Sequence, residues 1–580
     1  MDEKTLSAIP GAGSSNDAGG SREQARTKRV PVASLLTHPL PPEDEVSMLL
    51  EDYFRYVHWF SLIILEPRWR PSYAAIKDGH AKPSRKPFML LLSSILGVSA
   101  WYRSQTYKED AKAEREYWQE WSRKLIENAE LQITHLLDQS SIVSIQILTL
   151  LGSFYVYHGR PNLSFSLLGA TVKAAQAAGL HQETKNIPWL DIEERRRLWW
   201  TIYTWDRFAS ITYGRPLGIN DRDCNVAMPS RIIEDTRFLV SHDSASGDHL
   251  RISFTAYQRS LNELYLIASP AIETLYSARE SRTAPEEYLA LLQSVTVKLW
   301  QWRQGLTEEL RLDLDDDATL KPAERAHRLQ ALSLHLTFES LQIILHRPFL
   351  RQHLQLMASR GPQQVPSPLY GTSEMGHPLL RPLPSLSDTQ NLTDLSSPVQ
   401  FWEAALRTAQ ITELHNLVDA AVETHLVSFF ALNLFNAAIV MVVLALSDPL
   451  HDRAQQAKRA VTRIYRLQLK LGNRSVLSKQ SSQVIHTLVE LLLRREREAI
   501  LEPFPTNGTA SSEGIVGPST MPTRRGSAEF SQFQPAPGGG VDEQDWMNAN
   551  ISNSNMAMRL DSSLESVQKG MRGVPTRDSL

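Results

Sequence analysis

Residues 194–229 read ERRRLWWTIYTWDRFASITYGRPLGINDRDCNVAMP, a stretch that holds both a strong helix and the means of ending it. Leu198, Ile202, Trp205 and Ala209 recur at three- and four-residue steps, the spacing that lines one face of an α-helix. Trp199 and Tyr203 widen that stripe into a large aromatic contact surface. Arg195, Arg196 and Arg197, set against Asp206 and the Glu193–Glu194 pair, are placed to tie the polar side to neighbouring elements. The run then meets Tyr213-Gly214-Arg215-Pro216. Glycine tolerates the left-handed backbone that ends a helix, and proline forces the residue before it into an extended step. Arg215, followed by Asp221 and Asp223, suggests an ion-pair network bracing the loop against the helix. A guanidinium fork suits a carboxylate ligand as well as an internal aspartate, so a ligand-binding arginine is the alternative.

The same periodicity extends in both directions. EDEVSMLLEDYFRYVHWFSLIIL, residues 43–65, opens on acidic residues that favour a helix N-terminus and sets Val46, Leu49, Leu50, Tyr53 and Val57 on one face. Further helices are predicted over 86–102, 106–134, 141–157, 163–179 and 191–213. Beyond the quoted stretch they are predicted over 251–284, 285–312, 322–355, 400–419, 422–446, 450–471 and 477–500. In 163–179 the small residues Ala170, Ala174, Ala175 and Ala178 permit close approach of a neighbour, and Gly179 fits a C-terminal cap. Strict two-residue alternation between turn dipeptides is scarce. The fold class is therefore all-α, a large multi-helix body in which strands are minor pieces.

The 32 prolines and 27 glycines cluster at the two ends and around 361–398, which marks the joints. Residues 1–44 read as a disordered arm rich in Pro, Gly and Ser, 45–500 as the helical body with an exposed loop at 356–398, and 501–580 as a disordered tail suited to an activation segment. Within the arm, Arg22, Arg26, Lys28 and Arg29 form a short basic cluster. It reads either as a nuclear-import patch or as a solvated tether. The net charge of −3 gives no broad basic field for nucleic acid. Leu426–Leu446 is uncharged and long enough to span ~30 Å of hydrocarbon. Ser428, Asn433 and Asn436 interrupt it, Glu423 and His425 precede it and Asp448-Pro449 ends it, which favours a buried core helix over a membrane anchor.

Chemistry-bearing motifs are sparse. The single Cys224 excludes an internal disulfide framework and a zinc cluster built from this chain alone, and the opening residues lack a secretory pattern, so an intracellular protein is expected. HExxH, GxxxxGK[ST], GxSxG and the dinucleotide glycine fingerprint are missing from the sequence. Asp313, Asp315, Asp316 and Asp317 form an acidic knot without the glycine and terminal glutamate of a calcium loop, and read as a solvated loop. His335 and His346, about three helical turns apart, read as core or capping residues. No residue is assigned to catalysis, a cofactor or a metal, and an enzyme is not expected.

Glu194–Trp200 (ERRRLWW), Asp206 with Arg207, Ser210, Gly214-Arg215-Pro216, Ile219, Asp221, Asp223 and Pro229 resemble, in order and spacing, the middle homology region of fungal zinc binuclear-cluster transcription factors, the fungal-specific transcription factor domain. Asp52–His58, Leu167–Glu183, Trp300–Leu310 and Leu334–Leu350 resemble other parts of that domain, so the likeness runs over roughly 45–500. The resemblance implies an all-helical regulatory body between an N-terminal six-cysteine zinc module and a C-terminal activating segment, in proteins some of which respond to small molecules or partner proteins. It implies a nuclear regulator of RNA polymerase II transcription for a metabolic or biosynthetic gene set, working with protein partners, with a homo- or hetero-dimer and a small-molecule effector as further expectations. The departure is the missing six-cysteine module. DNA is then reached only indirectly, or through a zinc cluster encoded upstream of Met1. A scaffold that sequesters a partner is the alternative function, and a helical enzyme a remoter one.

Overall fold

The computed structural model describes residues 29–107, 111–235, 251–276, 285–317, 319–320, 322–348, 397–447, 449–472 and 475–501. The readings of residues 1–28, of the 356–398 loop up to 396 and of the tail beyond 501 lie outside the described residues, while 397 and 398 already belong to a helix. Acidic Glu43, Asp44 and Glu45 occupy the first turn of α1 (Glu43–Tyr53), where they complement the positive end of the helix dipole. The chain continues through a π-helical stretch, Phe54–His58, and a short turn, Trp59–Ser61, and leaves the helix at Leu62 with φ 48°. There follow α2 (Glu66–Ala74), α3 (Lys86–Ser104), α4 (Lys112–Glu130), α5 (Ile133–Gln139), α6 (Ile142–Tyr157), α7 (Pro161–Ala177) and α8 (Trp189–Tyr213). Next come α9 (Thr255–Tyr276), α10 (Pro285–Gln304), α11 (Pro322–Leu345), α12 (Ser397–Gln410), α13 (His415–Val422), α14 (Val427–Ser447), α15 (Asp452–Leu471) and α16 (Val476–Leu501). Gly179 and Gly214, with φ 69° and 60°, close α7 and α8 as their positions in the sequence predict.

Two antiparallel ladders are the strand content of the described residues: β1 (Val30–Pro31) with β2 (His80–Ala81), and β3 (Glu234–Asp235) with β4 (Arg251–Ile252). The fold is helices on helices. In the N-terminal half α1 packs on α3, α3 on α4, and α6 on α7; in the C-terminal half α14 is gripped by α12, α15 and α16, with α11 also against it. The α14 span Val427–Leu446 is long and apolar enough to cross a membrane, yet 94% of its most apolar window is buried inside the body. Surrounding helices thus supply the apolar environment that its side chains demand.

Residues 29–42 differ from the expected arm. His38 donates its amide N–H to Asn128 Oδ1 at 2.8 Å and accepts from Asn128 Nδ2 at 3.0 Å, while Val32, Leu35, Leu36 and Leu40 pack against the core. Those four apolar residues, hidden among prolines, offset part of the ordering entropy that composition alone leaves unopposed. Arg29, from the basic cluster, forks onto Asp78 at 2.6 Å, whereas Arg22, Arg26 and Lys28 lie outside the described residues.

Candidate functional site

Helix α8 carries two working faces. Tyr203, Asp206, Arg207 and Ser210 follow the i, i+3, i+4, i+7 rule, and so do Thr201, Thr204, Trp205 and Phe208, offset from the first set by two residues and hence nearly opposite. The first face holds the signature loop. Arg207, fully buried, donates Nε to Ser269 Oγ at 2.8 Å, Nη1 to Asp206 Oδ2 at 2.8 Å and to the Ile219 carbonyl at 3.1 Å, and Nη2 to Asp221. Its plane lies over the Tyr203 ring, 4.2 Å from the centroid. Asp206 in turn accepts the backbone N–H groups of Gly218 and Ile219 at 2.9 and 3.1 Å. Burial raises the Asp206 pKa above its ordinary value, against the opposing pull of Arg207 and those two N–H groups.

The sequence reading gave this bracing role to Arg215. The structure gives it to Arg207. Arg215 stands half-buried over Phe165 and Tyr213, 4.4 and 5.4 Å from their ring centroids, and donates to Asn162 Oδ1 at 2.6 Å. The reason is directional: Arg207 projects from α8 into the concave side of the loop, while Arg215, after the Gly214 turn, faces α7. Asp223 is exposed on the turn Asp221–Asp223.

The three consecutive arginines reach three separate neighbours. Arg195 donates to the Ala178 carbonyl at 2.8 Å, Arg196 pairs with Glu183 and Glu193 at 2.5 and 2.6 Å, and Arg197 turns inward. Arg197 pairs with Glu234 at 2.5 Å, and Glu234 takes His58 Nε2 at 2.7 Å, all three side chains being almost wholly buried. Burial alone would raise the Glu234 pKa, but Arg197 and His58 hold it down at about 2. The buried, non-helical segment 62–64 is satisfied by side chains: the Leu62 carbonyl takes Thr201, Ile63 takes Gln146 and Ile64 takes Arg197, at 3.2, 3.3 and 3.2 Å. Each backbone acceptor thereby avoids being buried without a donor.

The opposite face of α8 walls a cavity of about 110 Å³. Its other walls come from 60–63, α6, α9, α11 and the start of α14. Trp205 reaches its place because residue 152 is a glycine: a Cβ there would lie 1.7 Å from the indole. Phe60, Thr204, Trp205, Phe208 and Leu261 are half-buried and form the mouth, while Gln258 and Tyr265 lie at the buried floor. The side chains lining it belong to uncharged residue types apart from His425, whose Nδ1 lies 2.6 Å from the Tyr102 hydroxyl and whose pKa burial depresses to about 3.

The sequence matches the fungal specific transcription factor domain over residues 50–310, a span that holds the whole signature network and most of the cavity wall. Residues 50–310 are a fungal specific transcription factor domain. Among relatives, the chain is 26% identical over 315 residues to an uncharacterized transcriptional regulatory protein of Schizosaccharomyces pombe, covering 54% of this chain and 37% of that one. It is 25% identical over 351 residues to Activator of stress genes 1 of Saccharomyces cerevisiae, covering 58% and 35%. It is 24% identical over 319 residues to an ABC-transporter-regulating transcription factor of Aspergillus fumigatus, covering 53% and 33%. The chain thus spans about a third of the length of these relatives.

The transcription factor domain ends, by this match, before α11, so Ser333, Thr337, His425 and Phe429 complete its cavity from helices beyond it. On α11 the two histidines are core residues: His335 sits beside Arg303 at 3.4 Å and His346 beside Thr296 at 3.4 Å. Burial depresses their pKa values to about 3 and about 4. The acidic knot is put to structural use, Asp316 pairing with Arg328 at 3.4 Å and Asp317 accepting the Asn416 N–H at 3.0 Å in the first turn of α13. Burial and the nearby Asp221 and Asp223 push the half-buried Cys224 thiol up to about 11, which keeps it protonated and unreactive. Among the described residues no group of three or more His, Cys, Asp or Glu is placed to hold a metal ion.

Proposed function

We propose that this protein is a nuclear regulator of RNA polymerase II transcription, acting on a metabolic or biosynthetic gene set through its helical body and partner proteins. The reading rests on one observation: residues 50–310 match the transcription factor domain, and the relatives similar to this chain are named as regulators, activators or transcription factors. In this reading residues 45–500, with 29–44 packed onto them, are the regulatory body, the residues before 29 carry the import signal and 501–580 are an activation segment. DNA is reached through a partner protein or through a zinc module that these 580 residues do not supply, their one cysteine being Cys224. A small-molecule effector acts on the body.

The test is a chromosomal deletion with transcript profiling, alongside a fluorescent fusion of the full chain. A nuclear signal and a coherent set of altered transcripts are expected. Unchanged transcripts, with a partner protein still bound to the purified chain, would replace this reading with that of a scaffold.

A further inference from the structure

We propose that the cavity beside α8 is a binding site for a small, neutral aromatic molecule that carries an O–H or N–H donor. Size comes first. The space is about 110 Å³, somewhat less than the roughly 150 Å³ apolar cavity that holds benzene, so one ring is the upper limit of what it admits before the occupant extends into the mouth. A single ring fits, with its substituent reaching the floor or the mouth. Aromatic side chains from four segments, Phe60, Trp205, Tyr265 and Phe429 among them, offer faces and edges to such a ring.

Charge excludes the ionic alternatives. A carboxylate or ammonium entering here would meet no counter-charge, since among the described residues no Asp, Glu, Lys or Arg lines the space, and an unpaired buried ion is strongly disfavoured. Polarity then selects among neutral molecules. The hydroxyls of Thr149, Ser153, Thr204 and Thr337 donate to the carbonyls of Ile145, Leu150, Thr201 and Ser333 at 2.8, 2.9, 2.9 and 2.8 Å. With their protons committed to their own helices, they have only lone pairs left to offer.

Gln258 sharpens the point. Its Nε2 donates to the Arg197 carbonyl at 3.1 Å and to Thr201 Oγ1 at 3.2 Å, which fixes the orientation of the amide. Its Oε1 is buried and receives no hydrogen bond from the protein. The Ser61 and Tyr265 hydroxyls line the same space and rotate to suit an occupant, so the fixed, unmatched Gln258 carbonyl oxygen is the group that asks for a donor. Phenols and anilines satisfy it; an ether or ketone of the same size leaves the Gln258 oxygen unmatched. Leu62, whose φ of 48° is unusual for a branched side chain, shapes the lip of the same cavity.

Only the regulatory consequence of this site rests on the function proposed above; the binding itself is measured on the purified full chain. Calorimetric titrations with phenol, toluene and benzylammonium at neutral pH compare donor, no donor and charge in one shape. Phenol is expected to bind about tenfold tighter than toluene, the worth of one matched hydrogen bond, and benzylammonium not to bind. Gln258→Leu should retain toluene and lose the preference for phenol. Leu261→Trp at the mouth, which leaves the Gln258 hydrogen bonds intact, should abolish both, with circular dichroism confirming the fold of each variant. Phenol binding no tighter than toluene, or unaffected by Leu261→Trp, would overturn the proposal, as would absence of binding by either probe, which would leave water as the occupant. Binding as described without any transcript response in cells supports the site and counts against the effector part of the function. Transcript regulation without binding overturns the site alone.

Discussion

Arg207 and Arg215 lie eight positions apart and share a composition-level description, but burial separates their roles. Arg207 has no exposed surface and spends its guanidinium on Ser269, Asp206, Asp221 and a carbonyl, whereas Arg215 is half-buried over two aromatic rings. Removing one member of a buried ion pair leaves the other uncompensated, at about 3–5 kcal/mol. Arg215→Ala instead gives up cation–π contacts of about 1 kcal/mol each at a partly exposed site and the hydrogen bond to the neutral Asn162, and leaves no buried charge uncompensated there. Arg207→Ala should therefore destabilise the body more than Arg215→Ala in paired urea-unfolding curves. Equal losses would mean that the signature loop is braced from the Gly214 turn after all. The Arg207 role was partly legible: Tyr203, Asp206 and Arg207 share a helix face distinct from the Leu198–Ile202–Trp205 stripe, and that phase argument points to a polar partner on that side.

Helices were legible where period and punctuation agreed. The predicted 141–157 and 191–213 compare with Ile142–Tyr157 and Trp189–Tyr213 because an apolar repeat runs right up to a cap or a glycine. The predicted 400–419 instead divides into Ser397–Gln410 and His415–Val422, since the break at 411–414 carries no glycine or proline to announce it. Cavity and networks were less legible because their members come from distant segments and are ordinary core residue types when taken singly. Glu339 is the clearest case. It accepts Arg303 from α10 at 2.6 Å and a bidentate fork from Arg407 on α12, both bonds at 2.8 Å, and no local pattern links positions 303, 339 and 407. Burial would raise its pKa, but Arg407 and Arg303 hold it at about 2. Glu339→Gln keeps the shape and removes the charge that offsets two buried guanidinium groups, so a loss of about 3–5 kcal/mol is expected. Hydrogen exchange should show α12 losing protection first; unchanged exchange in α12 would mean that the apolar contacts with α14 hold it alone.

For the whole molecule, acidity is the condition under which these local arrangements add up. His335, His346 and His425 are buried, and burial, the first cause in each, depresses their pKa values to about 3, about 4 and about 3; Arg303 adds to the effect at His335 and His158 at His425. In the unfolded chain each titrates near ~6.5. Between those limits the unfolded state binds protons that the folded state refuses, so the stability these groups contribute is complete above ~6.5 and declines as the pH falls toward 4. Glu234 and Glu339, held at about 2, act in the same direction over a lower window. Their contribution is present above the unfolded value of ~4.3 and disappears as the pH drops toward 2. The destabilisation from these histidines should therefore begin near pH 6, above the window of Glu234 and Glu339, with a slope of up to about 1.4 kcal/mol per pH unit for each histidine. It is opposed in part by Asp206, Asp52 and Glu194, whose pKa values burial raises. Urea midpoints of the full chain at pH 7.5, 6.5, 5.5 and 5.0 measure it. His346→Gln should lower that slope by close to one proton and leave the steeper loss below pH 4.5 in place, since the carboxylates that produce it are untouched. A midpoint constant from pH 7.5 to 5.0 would mean that the three imidazoles gain protons in the folded state, and that the interior around α11 and α14 admits charge far more readily than its packing implies.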